Sequence, residues 1–142
     1  MKDSLLLIVL GIVASILFSV CSGPSAPQWQ SSQVIEAFKS AGLEAESARP
    51  MTKDDDGMAL MVAVEGTSFL IPSLGEDEGG RIRSFDSPED LEKTKAYSVK
   101  LGGENAAFFS WVFVKDNIIV QINGNLPEKQ AKEYEAALNA LK

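Results

Sequence analysis

Histidine is absent from this sequence, and cysteine occurs once, at Cys21. Without histidine the chain lacks the side chain most often used as a general base near neutral pH and as a zinc ligand. A lone cysteine forms neither an intramolecular disulfide nor a CxxC pair. A metal centre built from His and Cys is thereby excluded, and no cofactor is implied. Positive charge is scarce as well: 13 Lys and Arg stand against 20 Asp and Glu, a net charge of −7. Because Lys2 and Asp3 cancel, nearly all of that imbalance lies after Cys21. An acidic domain repels phosphate backbones, which argues against nucleic acid as a partner. Charge of either sign is missing between Asp3 and Glu36, and that gap organises the N-terminal end of the chain.

Within the gap, Leu5 to Val20 is the most apolar run in the sequence. It is long for the hydrophobic stretch of a signal peptide and at the lower limit for a membrane span. Lys2 and the α-amino group mark its cytoplasmic end, so the bulk of the chain is expected on the outer side. Phe18-Ser19-Val20-Cys21 resembles the end of a bacterial lipoprotein signal peptide, whose cysteine becomes the lipidated N-terminus. Ser19 suits that pattern, while Phe18 and Val20 stand where Leu and a small residue are usual. Three readings stay open: lipidation at Cys21, an uncleaved single-pass anchor from Leu5 to Val20, and plain secretion. Residues 22–33 are rich in Ser, Pro and Gln and read as a flexible tether. Trp29 is the exception within it, a candidate for folding back on the first helix, for a membrane headgroup layer or for a partner surface.

Residues 34–142 are long enough for one ordinary hydrophobic core. Val34, Ile35, Phe38 and Ala41 mark one face of a first helix, closed by Gly42 with Leu43 behind it. "SARPMTKDDDG" reads as a loop. "MALMVAVEG" and "TSFLIP" read as two strands turned at Gly66-Thr67. "SLGEDEGG" is an exposed loop and "RIRSF" a short strand. Ser87, Pro88 and Asp90 open a second helix that Gly102-Gly103 should end. "AAFFSWVFVKDNIIVQING" gives two strong strands with Asp116-Asn117 at the turn. Pro127 opens a last helix with Ala131, Tyr134, Leu138 and Leu141 at helical spacing. The expected fold is α+β: a mainly antiparallel five-stranded sheet with about three helices on one face.

Taken with the stretch from Glu65 to Tyr97 ("EGTSFLIPSLGEDEGGRIRSFDSPEDLEKTKAY"), "FFSWVFVKDNIIVQINGNLPEKQAKEYEAAL" resembles a group of small bacterial lipoproteins of unassigned function, sometimes labelled stress proteins. The resemblance implies a lipidated extracytoplasmic domain and brings no catalytic residues with it.

Few constellations carry chemistry. Asp54, Asp55 and Asp56 are adjacent, as are Glu76, Asp77 and Glu78; calcium would require the two loops to meet, since adjacent carboxylates diverge. Arg81 and Arg83 share one strand face, with Arg49 elsewhere, and could grip a carboxylate or phosphate; the plainer reading is an exposed face paired with nearby acids. Ser68 and Ser110 have no histidine to activate them, and no G-x-S-x-G turn is present. Phe109, Trp111 and Phe113 alternate with Phe108, Ser110, Val112 and Val114, so this strand is largely apolar on both faces and something must cover each. Trp111 is the other candidate for a partner surface. The function expected from these features is a non-catalytic, membrane-tethered accessory or interaction module that meets an unknown envelope protein. The alternative is an extracytoplasmic binding protein for a small ligand or a cation such as calcium.

Overall fold

The computed structural model describes residues 28–56 and 62–142. The elements are α1 (Ser31–Ser40), β1 (Glu46–Pro50), α2 (Lys53–Asp56), β2 (Glu65–Leu70), β3 (Gly79–Ser84), α3 (Pro88–Glu104), β4 (Ser110–Lys115), β5 (Ile118–Asn123) and α4 (Glu128–Asn139), with one 3-10 turn at Ala106–Phe108 before β4. The five strands form one antiparallel sheet in the order β1-β2-β3-β5-β4. The expected α+β architecture and its antiparallel five-stranded sheet are present. The run from Leu5 to Val20, Cys21 and the first part of the tether lie outside the described residues. Among the described residues, no helix is long and apolar enough to cross a membrane.

Successive strand residues face opposite sides. Ile118, Val120 and Ile122 of β5 join Ile82 and Phe69 in the main core, where Val34, Ile35 and Phe38 of α1 meet Ala131, Tyr134 and Leu138 of α4. Ile119 faces the other way, into a smaller core with Phe85 and with Leu91 of α3, flanked by Val112 and Val114. The helices therefore do not all share one face: α1 and α4 cover one side and α3 the other. The cause is the second apolar face of β4 and β5, which needed a cover of its own.

Two local expectations are corrected. "SARP" was expected in a loop, yet Glu46–Pro50 is an edge strand paired with β2 and exposed throughout. It carries no alternation because neither of its faces is buried, and Pro50 is tolerated because it sits on an edge. Gly66-Thr67 is no turn either; both residues lie inside β2, opposite Arg83 and Ile82. Most of "MALM" lies outside the described residues, and Val62 and Val64 precede β2 as exposed residues. The helix ends are closer to expectation. Ser87 accepts a hydrogen bond from the Asp90 amide. Gly42 takes φ +75°, and the Leu43 amide returns to the Phe38 carbonyl at 2.9 Å, which closes α1 through a left-handed glycine. Asp116 occupies the β4–β5 turn at φ +49°.

The domain starts earlier than Val34. The Trp29 amide donates to Asn117 Oδ1 at 2.7 Å, Asn117 Nδ2 donates back to the Trp29 carbonyl at 3.0 Å, and the indole N–H donates to Asp116 at 2.8 Å. Ser31 is fully buried. Residues 29–33 of the expected tether are thus part of the folded unit, clasped to the β4–β5 turn. Trp29→Ala should lower stability by about 2 kcal/mol, from the lost indole hydrogen bond and lost apolar contact. A thermal melt unchanged from wild type would show that the clasp contributes nothing.

Tyr134 supplies a second test. Its hydroxyl donates to the Glu44 carbonyl at 2.7 Å, and its ring meets Phe38 edge-on at 5.0 Å between centroids. Burial first, and the Glu44 carboxylate second, push the phenol pKa up to about 12. A group raised in the folded state stabilises fully below its unfolded pKa, about 10 for tyrosine, and loses that contribution as pH rises through the folded value. Base titration of stability should therefore show a fall between about pH 10 and 12 that Tyr134→Phe lacks, while the variant costs about 1 kcal/mol at neutral pH. Identical alkaline curves for both proteins would refute the assignment.

Candidate functional site

On the face that α3 covers, Arg49, Ser68, Arg81 and Gln121 lie opposite one another across β1, β2, β3 and β5. The next polar position, Ser110 of β4, pairs with Asn123. These residues form the floor of a groove of about 810 Å³. Leu101 from the C-terminal part of α3, together with Ala106, Phe108 and Phe109, makes one wall; Asp77, Glu78 and Asn125 lie at one end. The volume falls within the range typical of small-molecule sites.

The wall is held by close backbone approach. A Cβ on Gly124 would lie 2.3 Å from the Phe109 carbonyl oxygen, and one on Gly102 would lie 3.1 Å from the Phe109 Cα. Gly102 was expected to end α3; the helix instead continues to Glu104, and the missing side chain lets Phe109 pass beside it. Phe108 and Phe109 are left 51% and 43% exposed at the groove.

Three guanidiniums approach this face and meet three fates. Arg49 forms a two-pronged pair with Asp55, both contacts 2.8 Å. That contact, reinforced by the Thr52 amide, holds the Asp55 carboxyl well below the usual carboxylate range. Arg83, 2% exposed, donates to Asp56 at 3.1 Å and to Gln121 Oε1 at 3.2 Å. Gln121 in turn donates to Ser110 at 2.8 Å. Arg81 lies between these networks, half-buried on the groove floor, and has no ion-pair partner among the described residues. Burial first, and the neighbouring Arg83 second, lower its pKa from the usual arginine value.

The acidic candidates are separated by these pairings. Asp55, Asp77 and Glu78 line the same groove, but Asp55 is bound to Arg49, and Glu78 accepts from the Asn123 amide group. Asp56 faces Arg83; Asp54 and Glu76 are exposed and are not part of this groove's lining. No three His, Cys, Asp or Glu groups stand together as metal ligands among the described residues. Trp29 and Trp111 do not form a shared surface. Each packs against the main core, and the Trp111 indole donates to the Leu126 carbonyl at 2.9 Å. Cys21 lies outside the described residues.

Ser68, Gln121, Ser110 and Phe108 were not singled out for binding from the sequence. A signal was present for two of them: Gln121 interrupts "IIVQI" and Ser110 precedes "WVFV", each a polar group in an otherwise apolar strand. In comparisons with protein-family models, curated proteins and solved structures, nothing matches this chain.

The two ion pairs should differ sharply in weight. Asp56→Ala leaves a buried guanidinium without its counter-charge and should cost on the order of 3 kcal/mol. Arg49→Ala removes an exposed, water-screened pair and should leave the denaturant midpoint nearly where it was. Equal destabilisation by the two substitutions would contradict this ordering.

Proposed function

We propose that this chain is a non-catalytic binding module, held on the outer face of a membrane by its N-terminal segment, that receives a small ligand in the groove over β1, β2, β3 and β5. The observation that carries this reading is a cavity of small-molecule size whose floor contains an arginine without an ion-pair partner among the described residues. Structural arginines of this kind are normally matched, as Arg49 and Arg83 are. A cation as ligand is disfavoured, because Asp55, Asp56 and Glu78 are engaged by Arg49, Arg83 and Asn123, and no three acidic groups stand together as ligands among the described residues.

The tether side of the proposal rests on Cys21, placed where the apolar run meets a Ser/Gly/Pro-rich stretch, and on the resemblance to small bacterial lipoproteins. Two acyl chains on one cysteine suffice for stable anchoring. Intact mass of the membrane-extracted protein should show loss of Met1 to Val20 and added acyl mass on Cys21. A free thiol on a chain retaining Met1 would identify the run as a permanent helix. For the groove, backbone amide spectra titrated with neutral, cationic and anionic small molecules should shift at Ser68, Arg81, Ser110 and Gln121. Shifts confined to other surfaces, or none, would sink the binding assignment.

A further inference from the structure

We infer that the groove takes a small monocarboxylate with an apolar body, its carboxylate on Arg81 and its body against Phe108 and Phe109. This rests on the groove being a ligand site and specifies the ligand's chemistry.

Arg81 sets the sign. Arg49 and Arg83 already have carboxylates at 2.8 and 3.1 Å, and Gln121 has committed its oxygen to Arg83 and its amide to Ser110. The Arg81 guanidinium is partly desolvated beside Arg83; the Asp55 and Asp56 carboxylates offset part of that cost without pairing with Arg81 among the described residues, and an anion would relieve the remainder. A carboxylate matches the planar fork of arginine through two parallel hydrogen bonds. The Ser110 hydroxyl, which accepts from Gln121, still has a proton to give.

The rest of the lining sets the charge and the body. Asp55, Asp77 and Glu78 outnumber Arg49 and Arg81 around the groove. A phosphate or another polyanion would meet stronger repulsion from this lining than a single negative charge aimed at Arg81. Phe108 and Phe109 expose ring surface along the wall next to Leu101, which a purely polar acid would leave wet. Withdrawal of these rings by an apolar group adds affinity in proportion to the area covered.

The experiment uses the full chain in lipid nanodiscs, with empty nanodiscs titrated to subtract partitioning. Calorimetric titrations compare 3-phenylpropionate and octanoate with 3-phenylpropanol, octanol and inorganic phosphate. The acids should bind at least about tenfold more tightly than their alcohols, and phosphate should not bind, because a charged hydrogen-bonded pair exceeds a neutral one by that factor. Arg81→Gln should erase the preference for acid over alcohol, and Arg81→Lys should retain part of it. Phe108→Ala, at an exposed position, should weaken acids and alcohols alike. Equal binding of acids and alcohols would overturn the carboxylate assignment and leave the groove as a ligand site. Tight phosphate binding would overturn the monoanion assignment. Binding of none of the five probes would overturn this inference together with the small-ligand reading beneath it.

Discussion

Ile118, Ile119, Val120 and Ile122 are completely buried, so neither face of β5 tolerates water. The strand must have neighbours on both edges and cover on both sides. β3 and β4 supply the edges, α1 and α4 cover one face and α3 the other. The burial of four such side chains contributes about 1.5–3 kcal/mol each, which makes β5 the position around which the sheet is assembled. The same strand also limits its own cover. Gln121 breaks the apolar run on the α3 face, and there the face turns polar. Leu91, near the start of α3, packs with Ile119, while Leu101, near its end, lines open space. The groove is the stretch of sheet that α3 overhangs without filling.

Charge on that face is handled in pairs. A guanidinium removed from water is costly unless matched, and the buried Arg83 obtains Asp56 and Gln121. The matching acids come from α2, a helix of four residues with no buried side chain. Such a helix has little packing to hold it and is kept in place chiefly by the pair between Asp56 and the buried Arg83. Asp55 accepts from Arg49, from the Thr52 amide and from the Thr52 hydroxyl. Asp55 and Asp56 thus serve as a clamp across the sheet face, while Asp54 is exposed. Arg81, one position along the strand face from a matched arginine, feels the same aspartates but makes no ion pair among the described residues.

Much of the architecture was legible because its elements are amphipathic or strongly capped. Val34, Ile35 and Phe38, the Ser87 cap and the Asp116-Asn117 turn each carry a local physical signal, and each is where the sequence placed it. β1 carried none. Its hydrogen bonds are made by the backbone, its side chains are all exposed, and "ESARP" therefore shows no alternation. Gly66 looked like a turn because glycine usually marks one; here it lies opposite Arg83, with Met51 filling the space where its side chain would be. For the groove, the sequence supplied Arg81 and Arg83 on one face. It could not show which of them would be matched, because that depends on Asp56 and Gln121, brought in from 27 and 38 residues away. Arg49 joins them only through the β1–β2 pairing, which was itself hidden.

The two ends of the sheet now take different roles. Trp29 is clasped to Asp116 and Asn117 at the β4–β5 turn, and the Ser31 amide donates to Glu65 at the start of β2. Glu65, Ser84 and Ile118 lie in register at that same end, so the chain enters the domain there. Ser110, Asn123, Leu70 and Gly79, which border the groove, occupy the opposite ends of the same strands. A strand of six residues spans about 17 Å at the usual rise. The chain therefore enters at the turn end, and the groove lies toward the far end of the same strands. On the proposed reading, a ligand's carboxylate would have to leave water to reach Arg81, which is half-buried on the groove floor. The groove would then have to supply in return both a charge and an apolar wall, and Arg81 and Phe108 both line it.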